Sequence, residues 1–200
     1  TATAEASTFP RLLLKHATER PGAPAMREKE YGIWQTRSWA DMATLVEHLA
    51  CGLHQAGLQR GEHMIVVGAN RPRLSATMLA AQALGAIPVP LYQDAAAAEC
   101  VFPITNAEVR FCLVEDQEQV DKMLEVRESC PQLAHIYYDD PRGLRNYHEA
   151  GLTALDELLT AGKSFAASHP TFFKDEVAKA HATDVAAMFF TSGTTGNPKG

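Results

Sequence analysis

Two hundred residues carry 18 Lys+Arg against 24 Asp+Glu, a formal charge of −6, and such a chain is long enough to bury a sizeable core. With 46% hydrophobic and 21% charged residues it is excluded from the disordered class, whose low hydrophobicity cannot offset the entropy of ordering. The acidic balance also argues against a nucleic-acid binder held by a broad basic face.

Thr1–Ser7 is small and polar, with no charged-then-apolar leader layout, and residues 1–7 are expected to form a flexible tail. Ser7 or Thr8 can cap a first helix, with Pro10 in its first turn and Pro21-Gly22 as its stop. Ile33–Trp39 alternates like a strand. Ser38 and Asp41 form an S-x-x-D capping signal for a helix whose Met42, Val46, Leu49 and Leu53 make one apolar stripe ending at Gly57. Met64–Gly68 is a short apolar strand. Asn70 is expected to cap the next helix, with Pro72 in its first turn and Gly85 closing it.

Strand Ile87–Tyr92 follows, then a weaker helix around Ala95–Asn106 that Pro103 should kink or shorten. Val109–Glu115 reads as a strand, Gln117–Glu128 as a helix and Ala134–Tyr138 as a strand. Asp139–Gly143 is a turn within the most polar connection, Asp139–Gly151. Helices fit Thr153–Thr160 and Phe172–His181. Val185–Phe190 is wholly apolar, the pattern of a strand covered on both faces. This alternation predicts an α/β fold, a largely parallel sheet flanked by helices.

The four cysteines at 51, 100, 112 and 130 are too far apart for a zinc or redox pair. Small buried thiols in a reducing, cytoplasmic compartment are the expectation. The stretch Ala76–Pro90 is broken by Gln82, Gly85 and Pro88, short of a membrane span. No basic amphipathic helix is evident, so membrane contact is expected to be peripheral at most. His48 and His54 are six apart, not the three or four that places two ligands on one helix face. Asp139-Asp140 is expected as a solvated turn, Glu115-Asp116 as a helix cap, and Trp34 and Trp39 as packing residues.

The chemistry concentrates in Thr191-Ser192-Gly193-Thr194-Thr195-Gly196-Asn197-Pro198-Lys199-Gly200. Glycines at 193 and 196 let backbone N–H groups converge on an anion. The hydroxyls add donors for phosphate oxygens, and Lys199 adds a mobile charge. Composition alone favours a plain flexible Gly/Thr-rich loop over a phosphate site. The spacing fits neither G-x-x-x-x-G-K-[ST] nor G-x-G-x-x-G.

The whole string, however, resembles the [ST]-S-G-[ST]-T-G-x-P-K-G signature of the AMP-forming, adenylate-forming enzymes, matching every position with Asn197 in the free slot. Upstream, Gly52-Leu53, Gly57-Leu58, Gly61-Glu62, Asn70 and Ala83–Leu91 resemble the family's early pattern. Pro88-Val89-Pro90-Leu91-Tyr92 and Ile33–Thr36 before Trp39 are similar to the long-chain fatty acyl-CoA synthetase branch. The resemblance implies that residues 8–200 are an incomplete N-terminal portion of the large domain. It implies a ligase that activates a fatty acid with ATP and Mg²⁺ as acyl-AMP, then transfers it to coenzyme A. Thr191, Ser192, Gly193, Thr194, Thr195, Gly196 and Lys199 are then the ATP-phosphate loop. The catalytic, adenine and Mg²⁺ residues are expected elsewhere, so the chain alone should be inactive. A non-catalytic phosphate- or protein-binding module, a phosphotransferase with an unusual loop and an adenylate-forming enzyme for a different acid are the competing readings.

Overall fold

The computed structural model describes residues 8–191. Helix α1 (Phe9–Glu19) leads into an antiparallel hairpin, β1 (Pro24–Glu30) and β2 (Ile33–Ser38), turned by Tyr31 and Gly32, both at positive φ. Then follow α2 (Trp39–Gln55), β3 (His63–Val67), α3 (Pro72–Ala83), β4 (Ile87–Leu91), α4 (Ala97–Asn106), β5 (Phe111–Val114), α5 (Gln117–Val126), β6 (His135–Tyr138), β7 (Leu152–Ala154), α6 (Leu155–Ser168) and α7 (Phe172–Ala178). Strands β3 to β7 form one parallel sheet in the order β4-β3-β5-β6-β7.

The central strands are apolar from Met64 to Val67 and from Phe111 to Val114 because both sheet faces are covered there. Met64 and Val66 of β3, Phe111 and Leu113 of β5, and Tyr137 of β6 point into a core shared with α1, α2, α3, α6 and α7. The alternate residues Ile65, Val67, Cys112, Val114 and Ile136 point into a second core with α4 and α5. Period-two alternation thus feeds two cores rather than one core and water. The stripe Met42, Val46, Leu49 and Leu53 on α2 is buried in the first.

Local signals act as the sequence predicts at several ends. The Ser38–Asp41 box closes on itself: Ser38 N–H donates to Asp41 (2.8 Å) and Asp41 N–H to the Ser38 hydroxyl (3.1 Å). The Ser38 hydroxyl, which also donates to the Asp41 carboxylate (2.7 Å), and the Ser38 N–H hold that carboxyl below its usual 3.8. Gly57 and Gly85, both left-handed, end α2 and α3 with the same motif, in which Leu58 donates to Leu53 and Ala86 to Ala81. Asp116 caps α5 through Gln119 N–H. All four cysteines are free and buried, and desolvation raises the Cys51 thiol to about 11.

Other expectations are corrected. The cap position of α3 is Arg71, not Asn70, and no side chain caps it. Helix α4 reaches Asn106 as expected, and Pro103 inside it does not shorten that end. Strand β1 was not foreseen, because Arg27, Glu28, Lys29 and Glu30 give it no apolar alternation; its pairing with β2 makes it. Thr153 belongs to the short β7, and α6 runs eight residues past Thr160 to Ser168. Helix α7 stops at Ala178 rather than reaching His181. Trp34 is 64% exposed, whereas Trp39 packs against the core.

Val185–Phe190 is not a strand either, although Met188 N–H donates to the Pro88 carbonyl (3.0 Å). Ile87 turns its N–H inward to Glu62 beside β3, so residues 88 and 90 face the outer edge of β4. Both are prolines and cannot donate, so no continuous ladder forms along residues 185–190, and a bridge appears at Thr191.

Helices α2 and α6 approach backbone to backbone. A Cβ on Gly162 would run into the His48 carbonyl, and one on Gly52 would lie 2.5 Å from the Leu158 carbonyl oxygen. Gly162→Ala is therefore expected to destabilise the chain by about 1–3 kcal/mol in urea unfolding despite its better helix propensity. Gly22→Ala, with nothing within 4 Å, should leave the midpoint unchanged. Ser38→Ala should cost about 1 kcal/mol and return the Asp41 carboxyl toward 3.8 in an NMR titration. Because Asp41 titrates low in the folded state, the stability of its ionised cap is present above 3.8 and fades as pH falls through the folded value.

Candidate functional site

The C-terminal edge of the parallel sheet is where open α/β folds hold ligands, at the crevice where successive crossovers diverge. Here that point lies between β3 and β5: α3 leaves β3 toward the first core, whereas α5 leaves β5 toward the second. It is filled by the protein's own charges. Glu115, directly after β5, accepts from Ala69 N–H (2.5 Å) and from Arg71 Nε (2.6 Å), both just past β3. Gly68 makes this closure possible. Its φ is +154°, and a Cβ there would lie 2.6 Å from both Glu115 Cβ and a Leu74 methyl.

The pairing continues outward into a cavity of about 580 Å³. Arg73, in the first turn of α3, reaches Asp139 after β6 (2.8 Å) and Asp156 on α6 (2.6 Å). Glu28 of the hairpin lies 3.7 Å from Arg37 and 3.9 Å from Arg71. Asp140 is paired with Arg142, which holds its carboxyl below the usual value. The bond to Glu115 raises the Arg71 guanidinium further above its ordinary value. Asp139 is thus no solvated turn residue: burial pushes its carboxyl up, against the pull of Arg73. Each of the four arginines here faces a carboxylate, so the crevice ties hairpin, sheet and α6 together rather than offering free cations to a polyphosphate.

The histidines expected to be non-ligands sit apart. His54 packs its ring against Phe165 and Phe172, with centroids 5.6 and 4.5 Å away, while His48 lies beside the α2–α6 contact. Among the described residues no group of three or more His, Cys, Asp or Glu is placed to hold a metal ion.

Of the sequence-predicted loop, Thr191 is the last described residue; Ser192, Gly193, Thr194, Thr195, Gly196 and Lys199 lie outside the described residues. The path to Thr191 is nevertheless defined. Ala186 is bonded by Gln82, near the end of α3 and ahead of β4, and Met188 by Pro88 within β4. Phe190 then meets Phe102 of α4 edge-on, 6.1 Å between centroids. The segment therefore advances beside β4 in the same direction, carrying Thr191 toward the C-terminal edge. The roles of Glu115, Arg71 and Arg73 were not foreseen. Their only sequence signal is position, just beyond strands whose apolar runs end at 67 and 114.

Arg73→Ala would leave Asp139 and Asp156 without their cation and is expected to cost about 2 kcal/mol at neutral pH. Asp139 titrates above its unfolded value, so its ionised form opposes folding above the folded pKa, and the opposition disappears as pH falls toward 3.8. The deficit of Arg73→Ala should therefore shrink on acidification, as read from urea midpoints at pH ~7 and ~4.

The described residues contain no helix long and apolar enough to cross a membrane. The chain is 27% identical over 189 residues to the long-chain-fatty-acid–CoA ligase FadD15 of Mycobacterium bovis, covering 94% of this chain and 30% of that protein. It is 28% identical over 179 residues to the human long-chain-fatty-acid–CoA ligase ACSBG2, covering 88% of this chain and 26% of that one. Among solved structures, the acetoacetyl-CoA synthetase of Streptomyces lividans superposes with a TM-score of 0.73 at 20% identity, over 96% of this chain and 29% of that chain. The chain thus spans less than a third of the length of these relatives. The family model described as "AMP-binding enzyme" matches residues 13–200, and with a parallel sheet of the same fold beneath it the chain belongs to the AMP-binding enzyme family.

Proposed function

We propose that the protein to which these residues belong is a long-chain fatty acid–CoA ligase (AMP-forming). The observation that carries the reading is the unbroken ten-residue signature Thr191–Gly200, inside the segment that the family model matches. The curated relatives named above, both long-chain ligases, support the choice of acid. The buried free thiols are in keeping with a cytoplasmic setting.

In the reaction a carboxylate oxygen of the fatty acid attacks the α-phosphorus of ATP, the bond to the bridging oxygen breaks, and pyrophosphate leaves. The thiolate of coenzyme A then attacks the acyl carbonyl carbon and expels AMP, the thiol proton passing to solvent. The difficulty lies in bringing a carboxylate up to a polyanion. Donors on the β- and γ-phosphates reduce that repulsion and stabilise the charge that collects on departing pyrophosphate. In this reading Thr191, Ser192, Thr194 and Thr195 donate hydroxyls, Gly193 and Gly196 free the backbone N–H groups to converge, and Lys199 neutralises charge. Mg²⁺, when bound, would add charge to the same phosphates; no described residue is assigned to it.

ATP–pyrophosphate exchange driven by long-chain fatty acids tests the reading. Lys199→Ala should lower the exchange rate on the order of 100-fold without shifting the unfolding midpoint. Exchange driven by short or aromatic acids, and not by long-chain ones, would move the protein to another branch of the family. By itself the 200-residue chain, given ATP, Mg²⁺, fatty acid and coenzyme A, is expected to form no thioester above the Lys199→Ala background.

A further inference from the structure

The β1–β2 hairpin has two faces of opposite character. Its register pairs Met26 with Arg37, Glu28 with Gln35 and Glu30 with Ile33 on one face, and Arg27 with Thr36 and Lys29 with Trp34 on the other. The first face is tied to the body of the protein: Met26 packs on the first core, and Glu28 faces Arg37 and Arg71. All four residues of the second face are exposed. Beyond Glu28 the hairpin stands out from the core, with residues 29–36 exposed without a break and Lys29, Glu30 and Tyr31 bordering the crevice cavity. Its tip carries Tyr31 at 87% and Ile33 at 64% exposure, next to Trp34.

We infer that this hairpin is a docking surface for an anionic lipid bilayer: Tyr31, Ile33 and Trp34 enter the headgroup region, and Arg27 and Lys29 meet the acidic headgroups. Trp and Tyr each join an apolar ring to a polar handle, which suits the boundary between headgroups and acyl chains. The outward face carries two cations and no carboxylate, because the register turns Glu28 and Glu30 to the other side. In a chain of formal charge −6, an acidic surface therefore attracts this face while repelling the chain at large. A face closed by further protein would be poor in lysine and charge at its centre, whereas here two cations stand beside the indole. The contact is one of lying on a membrane, and no helix among the described residues is long and apolar enough to cross one. The inference does not rest on the ligase reading, since binding is read without turnover.

The test is co-sedimentation of the intact protein with phosphatidylcholine vesicles, with and without about 30% phosphatidylglycerol. Wild type should bind the anionic vesicles more tightly and be released by salt. Arg27→Glu combined with Lys29→Glu should weaken anionic binding by about fivefold for each cation and leave the weaker neutral binding unchanged. Trp34→Ala should weaken binding to both vesicles several-fold. Tyr92→Ala, which removes an exposed ring outside the hairpin, should bind like wild type. Urea midpoints should stay near wild type, because every altered position is exposed. Trp34→Cys should react with a water-soluble maleimide above the wild-type background. Failure to react shows that the rest of the protein covers the hairpin, and it overturns the inference. So does wild type that sediments with neither vesicle or with both alike, and so does an affinity that survives both the charge reversal and Trp34→Ala. A dimer that Trp34→Ala dissolves also overturns it, since a second copy then occupies the face.

Discussion

The structure depends on the burial of both faces of β3 and β5. Every residue from Met64 to Val67 and from Phe111 to Val114 is buried, with alternate side chains in opposite cores. Water cannot reach the backbone between two such layers, so each N–H and C=O must be paired by a neighbouring strand. Parallel pairing meets that need, and helices that cross over the faces supply the cover. Helices α2, α3 and α6 on one side, α4 and α5 on the other, follow from that constraint.

The same arrangement creates a crevice where the crossovers diverge, and the molecule closes it with Glu115. One carboxylate there serves the Ala69 N–H and Arg71, and Arg71 extends the chain of charges to the hairpin through Glu28. Partly buried carboxylates and guanidiniums hold one another, which meets the desolvation cost that either would carry alone. The common ligand position of open α/β folds is thereby occupied by an internal brace.

At that edge the chemistry is set by what proline lacks. Pro88 accepts a bond through its carbonyl but, like Pro90, has no N–H to return one, so an apolar run that would otherwise form a strand lies against the sheet edge without becoming one, up to a bridge at Thr191. The run keeps Met188 and Phe190 against the second core and leaves Val185 and Phe189 exposed. Gln82, far back in the chain, donates to its Ala186 carbonyl, and Arg11 donates to the Ala178 and Ala180 carbonyls ahead of it.

The sequence by itself determined the parts whose cause is local. The apolar runs of β3 to β6, the stripe on α2, the Ser38–Asp41 box, the turns at Gly57 and Gly85 and the ten-residue signature all lie within a few residues of their physical reason. Tertiary structure decided the parts whose cause is distant. Charged β1 is a strand because β2 pairs with it, and Gly52 and Gly162 are required because two helices touch there. Val185–Phe190 stays out of the sheet because of prolines about a hundred residues earlier. Arg73 joins Asp139 and Asp156 across three elements. Hydrophobic periodicity and caps act over one or two turns of chain, whereas ion pairs and edge pairing exist only once the chain has folded back on itself.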